Sequence, residues 1–113
     1  MKILLLIDSL GAGGAQRQLV GLATMLKRLK YNVIVVTYYD NSFYADILLN
    51  AGVPYVFLKD AHGIYKRITV IAKYIRKQSP DWVISYLETP SVVASIAHIF
   101  NRKFKLMVSE RNT

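Results

Sequence analysis

Two kinds of apolar cluster alternate along the chain, and that alternation leaves room for one class of architecture. Short runs rich in leucine and β-branched residues, at Ile3 to Ile7, Val33 to Thr37, Tyr55 to Leu58, Trp82 to Tyr86 and Leu106 to Ser109, have the length of strands buried on both faces. Between them apolar residues recur at helical steps. Ala15, Leu19, Leu22, Leu26 and Leu29 share one face, and Lys27, Arg28 and Lys30 crowd the last turn, where cations favour the helix dipole. Ile64, Ile68, Ile71 and Ile75 repeat the pattern until Ser79-Pro80 stops it. A shorter helix is expected from about Phe43 to Ala51, with Asn41 or Ser42 as cap and Gly52 just past its end. A last one is expected after Thr89-Pro90-Ser91, carrying Val92, Val93, Ile96, Ala97 and Phe100. Strand, helix, strand, repeated to a fifth strand, predicts right-handed βαβ units on a parallel sheet of order 3-2-1-4-5, a three-layer α/β sandwich.

Composition narrows the class further. With 113 residues, 53% of them hydrophobic and 19% charged, the chain holds one globular domain that can bury roughly two-thirds of its unfolded surface. There is no cysteine, which excludes thiol catalysis, zinc–thiolate sites and disulfide scaffolds and fits a reducing compartment. The opening apolar run stops at Asp8, too soon for a signal peptide, and no run approaches the roughly 18 residues that span a bilayer. The expectation is therefore a cytoplasmic protein, at most peripheral at the inner face of a membrane. The formal charge of +8 allows an anionic partner without choosing among nucleic acid, a phosphorylated substrate and an acidic lipid surface.

A sheet of this order places its ligand crevice beyond the carboxyl ends of strands 1 and 4, so the residues at those ends matter most. After strand 1 comes Asp8-Ser9-Leu10-Gly11-Ala12-Gly13-Gly14, leading into a helix. Absent Cβ atoms at Gly11, Gly13 and Gly14 let backbone N–H groups approach a phosphate, and the helix N-terminus adds positive potential. Arg17 opposes that dipole, a local cost that a bound anion would offset; a tight turn with a solvated arginine is the plainer alternative. The dinucleotide fingerprint is not met. Gln16 stands where a small residue belongs, and strand 2 ends in Thr37-Tyr38-Tyr39 instead of an acid. No cofactor is expected. His62 and His98 read as structural, no cluster has metal-ligand spacing, and Ser9 and Asp8 lack a placed base, so no catalytic residue is assigned. The third helix is the most basic element: Lys66, Arg67, Lys73 and Lys77 read as a solvated face, or as a contact for anionic lipid. Nucleic acid fits less well, because stacking aromatics are not interleaved with these charges.

Lys2 to Leu10 followed by Gly13-Gly14-Ala15-Gln16-Arg17 and Leu22-Ala23 resembles the amino-terminal end of GT-B glycosyltransferases of family 4, and Val108-Ser109-Glu110-Arg111-Asn112 resembles the S-x-R-N segment several of them carry after strand 5. The resemblance implies a Rossmann-like domain, the acceptor-side half of a retaining hexosyltransferase of polysaccharide biosynthesis. That enzyme would move a sugar from a nucleotide-sugar donor to a glycan or lipid-linked acceptor. The implied substrate- and diphosphate-binding residues are Gly11, Gly13, Gly14, Gln16 and Arg17 at the turn, Glu88 and Thr89 after strand 4, and Glu110, Arg111 and Asn112 after strand 5. Glu88 stands in a region where many relatives place a histidine, and its plainer reading is a helix-start acid. The family's carboxyl-terminal E-x7-E motif has no match, so residues 1–113 read as a truncated amino-terminal domain, inactive by itself. The alternative is a stand-alone α/β module that binds a phosphate or nucleotide on the Gly11 to Gly14 loop.

Overall fold

The computed structural model describes residues 1–109, in the order β1 (Lys2–Leu6), α1 (Gly14–Arg28), β2 (Asn32–Thr37), α2 (Ala45–Asn50), β3 (Tyr55–Phe57), α3 (Ile64–Gln78), β4 (Trp82–Tyr86), α4 (Glu88–Phe100) and β5 (Lys105–Ser109). All neighbouring strands pair in parallel, in the order β3-β2-β1-β4-β5 that the sequence pattern predicts. Register places Leu4 opposite Ile34 on one side and Val83 on the other, so the most apolar strand fills the centre.

Two cores result, one on each face of the sheet. Ile3, Leu5 and Ile7 join Val33 and Val35 beneath Leu19 and Ala23 of α1 and Leu48 of α2. The alternate residues Leu4 and Leu6 join Ile34, Val36 and Val83 beneath Ile71 and Ile75 of α3 and Val93 and Ala97 of α4. Period-two alternation thus feeds both layers from single strands.

The structure corrects several expectations. β3 is only half-buried and β5 is largely exposed, because both lie at sheet edges where one flank has no strand. Leu29 does not belong to the buried stripe of α1; it is the C-cap and 62% exposed. Ile64 opens α3 on the surface instead of in the core. α2 starts at Ala45 after an N-cap at Tyr44 with no side-chain cap. The Tyr44 amide donates to Leu10 O at 3.0 Å, and Asn41 Oδ1 accepts from the Phe43 amide at 3.4 Å in the preceding loop. α4 starts three residues before Ser91, because Pro90 falls in the first turn, where its missing N–H costs nothing.

α3 and α4 begin on the same sharp backbone corner. Gly63 has φ 77° and ψ 161°, and Leu87 has φ 74° and ψ 163°. Glycine adopts this conformation freely, whereas a leucine in it stores backbone strain. Leu87 is held there by packing against the core on the α1 side.

Candidate functional site

The carboxyl ends of β1 and β4 frame the crevice, and the turn after β1 is built from its own backbone. The Gly13 amide donates to Gly11 O at 2.9 Å, and the Arg17 amide donates to Gly13 O at 3.0 Å as the first helical bond. Gly13 is the N-cap of α1 in extended conformation, without a side-chain cap, and no acid lies in the first turn. The earliest amides of the helix therefore have no intrahelical acceptor, the arrangement that suits an anion. A Cβ at Gly11 would sit 2.8 Å from Asn41 Nδ2, and one at Gly13 would collide with the Gln16 side chain. At both positions the atom met is the far end of a flexible side chain, which would have to shift to admit a Cβ.

The turn is stitched to the end of β2. Asp8 O accepts the amides of Tyr38 at 3.0 Å and Tyr39 at 2.8 Å, and the Leu10 amide donates to Asn41 O at 2.9 Å. Asp8 Oδ1 accepts the Ser9 amide at 2.6 Å and Gln16 Nε2 at 3.3 Å. Gln16, expected among the binding residues, is thus half-buried and ties the helix to the strand end. Arg17 is exposed in the first turn of α1.

On the other side of the crevice, Glu88 is the first residue of α4 and Thr89 is exposed beside it; the Glu88 side chain lies outside the described part. Below them the buried Ser85 and Ser91 hydroxyls bond at 3.0 Å, pinning the first turn of α4 to β4. α4 has no side-chain cap, so it too points unblocked N–H groups at the carboxyl edge. Glu110, Arg111 and Asn112 lie outside the described residues.

One functional candidate was misread in sequence. Arg67 does not join Lys66, Lys73 and Lys77 on the solvated face of α3; it is half-buried between two rings. Its guanidinium carbon lies 4.7 Å from the Tyr38 ring centroid and 5.1 Å from that of Tyr39, and Nη2 donates to Tyr39 Oη at 2.7 Å. Burial, with the Asp8 charge adding and the Arg67 charge opposing, pushes the Tyr38 hydroxyl far above its ordinary pKa. The signal in sequence was the aromatic pair at the end of β2, which charge patterning along α3 ignores.

His98 is structural, as expected: Nε2 lies 3.0 Å from Phe104 O and its ring packs on Phe104 edge to face. Among the described residues no three His, Cys, Asp or Glu side chains group as metal ligands. Grooves of about 430 Å³, lined by Arg76, Asp81 and Lys103 among others, and 590 Å³, between α1 and α2, open away from the crevice. Neither touches the glycine turn. No helix among the described residues is long and apolar enough to cross a membrane.

No family model matches the chain. Its sequence is 30% identical over 118 residues to GalNAc-alpha-(1->4)-GalNAc-alpha-(1->3)-diNAcBac-PP-undecaprenol alpha-1,4-N-acetyl-D-galactosaminyltransferase of Campylobacter jejuni, a match covering 99% of this chain. The likeness is to glycosyltransferases. The chain spans 33% of that relative's length. Among solved structures, a glycosyltransferase from Rickettsia africae superposes with a TM-score of 0.75 at 19% identity, covering 95% of this chain and 28% of that one. MurG of Acinetobacter baumannii superposes with a TM-score of 0.73 at 13% identity, covering 100% and 36%. At these identities what is shared is the fold, and it is a glycosyltransferase-like Rossmann fold.

Proposed function

We propose that the chain is the acceptor-side, amino-terminal domain of a GT-B glycosyltransferase of family 4, which moves a sugar from a nucleotide-sugar donor to a glycan or lipid-linked acceptor. The observation that carries this reading is the 30% identity to the Campylobacter transferase along 99% of the chain. That relative's name specifies an undecaprenol-diphosphate-linked acceptor, which supports a lipid-linked acceptor here; a place in polysaccharide biosynthesis at the inner face of the membrane is part of the same proposal.

In such a transfer the bond from the anomeric carbon to the nucleoside diphosphate breaks, the diphosphate leaves with the electron pair, and an acceptor hydroxyl forms the new bond and gives up its proton. The negative charge that develops on the leaving diphosphate needs preorganised donors. The open amides at the start of α1, exposed by Gly11, Gly13 and Gly14, and the Arg17 guanidinium fill that role in this reading. Gln16 positions the turn through Asp8. Thr89, exposed at the start of α4, is proposed to contact the acceptor, and Glu88, Glu110, Arg111 and Asn112 are proposed to complete that site. The exposed Lys66, Lys73 and Lys77 would rest against anionic headgroups.

The test is transfer by the intact protein from a panel of UDP- and GDP-sugars to diphosphate-linked glycan acceptors. Turnover with one donor is the expected result. Absence of both binding and transfer across the panel overturns the reading.

A further inference from the structure

Arg67 is the described cation whose surroundings are hardest to explain by structure alone. Its Nε is buried with no hydrogen-bond partner, and so is the hydroxyl of Tyr38, which is 1% exposed. Among the described residues it has no ion pair. The nearby Asp8 carboxylate is engaged by the Ser9 amide and Gln16, while Asp40 and Asp60 are exposed on flanking loops. A half-buried guanidinium without a carboxylate is stabilised only in part by the rings that flank it.

We propose that Arg67 and Tyr39, clamped against Tyr38 at the carboxyl end of β2, form a phosphate-recognising subsite on the rim of the crevice. The Arg67 Nη2–H donates to Tyr39 Oη at 2.7 Å, so the Tyr39 hydroxyl has its own proton left to donate. Two neighbouring donors, one on a charged fork, match two oxygens of one phosphoryl group. The rings fix the guanidinium before any ligand arrives, which lowers the ordering cost of binding. The start of α3 lies one turn away, with Gly63 as N-cap, no side-chain cap and no acid in the first turn, so its dipole adds positive potential at the same place. This subsite is separate from the glycine turn, which sits at the start of α1. It rests on the reading that the carboxyl edge is the substrate-facing edge, and it names a phosphorylated group as what the acceptor side recognises.

The experiment is a titration of the intact protein with inorganic pyrophosphate, followed by amide NMR, for the native chain and the variants Arg67→Lys, Tyr39→Phe and Lys27→Gln. Arg67→Lys keeps the charge and loses the fork, and is expected to weaken binding about tenfold; Tyr39→Phe, at an exposed ring, about threefold. Lys27→Gln, exposed in the last turn of α1, is expected to leave affinity within about twofold. Equal weakening by Lys27→Gln and Arg67→Lys, or native affinity in both Arg67→Lys and Tyr39→Phe, overturns the subsite. Displacement of pyrophosphate from this subsite, read on the Tyr39 and Arg67 amides and not on those of the glycine turn, by UDP or by a short prenyl diphosphate supports it, the first pointing to a nucleotide and the second to a lipid-linked acceptor; displacement there by neither overturns it. If transfer fails across the donor panel while these variants still weaken pyrophosphate binding, the transferase reading falls and the subsite stands. If transfer proceeds with an unchanged acceptor KM in both variants, the subsite falls and the transferase reading stands.

Discussion

The two ends of the sheet use their polar groups in opposite ways. At the amino edge they are consumed in closing the fold. The Asp81 amide donates to Lys2 O at 2.8 Å, Asp81 Oδ2 accepts the Lys2 amide at 2.8 Å, and the Lys105 amide donates to Asp81 O at 2.9 Å. One residue so links β1, β4 and β5, while Lys2 Nζ reaches Gln78 Oε1 at 2.6 Å. At the carboxyl edge hydrogen bonds shape the loops, yet α1, α3 and α4 all start without a side-chain cap. A strained Leu87 and a clamped Arg67 lie along the same edge. Donors kept free cost stability and make a surface that attracts anions, so under the proposed function stability and function separate along the strand direction.

The separation can be broken by substitution, and the largest effect belongs to the glycine turn. Gly13→Asp supplies a favourable N-cap side chain, so the melting temperature is expected to hold or rise slightly, while a carboxylate at the anion site lowers kcat/KM for transfer by at least about a hundredfold. A parallel fall in stability and activity would place Gly13 among purely structural residues. Next comes Ser85→Ala, which leaves the buried Ser91 hydroxyl unpaired and is expected to cost about 1 to 3 kcal/mol in denaturant unfolding. The double replacement with Ser91→Ala should cost less than the sum of the single changes, and additive losses would show that the hydroxyls do not support one another. The smallest effect is at the amino edge. Asp81→Ala removes one exposed side-chain acceptor and is expected to cost about 0.5 to 1 kcal/mol, with transfer per folded molecule unchanged. A lowered kcat in fully folded Asp81→Ala protein would mean the two edges are coupled.

Strand order and layering were legible because short doubly apolar runs and helical stripes have different periods, and β4 ends where the pattern puts it. What apolar runs do not encode is a strand's place in the sheet, which is why β3 and β5 were read as buried on both faces although the predicted order makes them edges. Pro90 looked like a boundary because proline breaks helix interiors, but it is harmless in a first turn. The glycine turn was legible from the residue types alone. Its stitching was not, since Asp8 O accepts amides 30 and 31 residues further on, a contact only the folded register creates. Arg67 was hidden for the same reason: its neighbours in the chain are the exposed Lys66 and the partly buried Ile68, and its partners are two tyrosines just past the end of β2.

The central claim is that the carboxyl edge is the working edge, and amide NMR of the intact protein titrated with UDP tests it most directly. The account predicts saturable shifts concentrated on the amides of Gly13 to Arg17, with the Asp81–Lys2 region unmoved. Shifts confined to the groove around Arg76, Asp81 and Lys103, or no saturable shift at all, would contradict it.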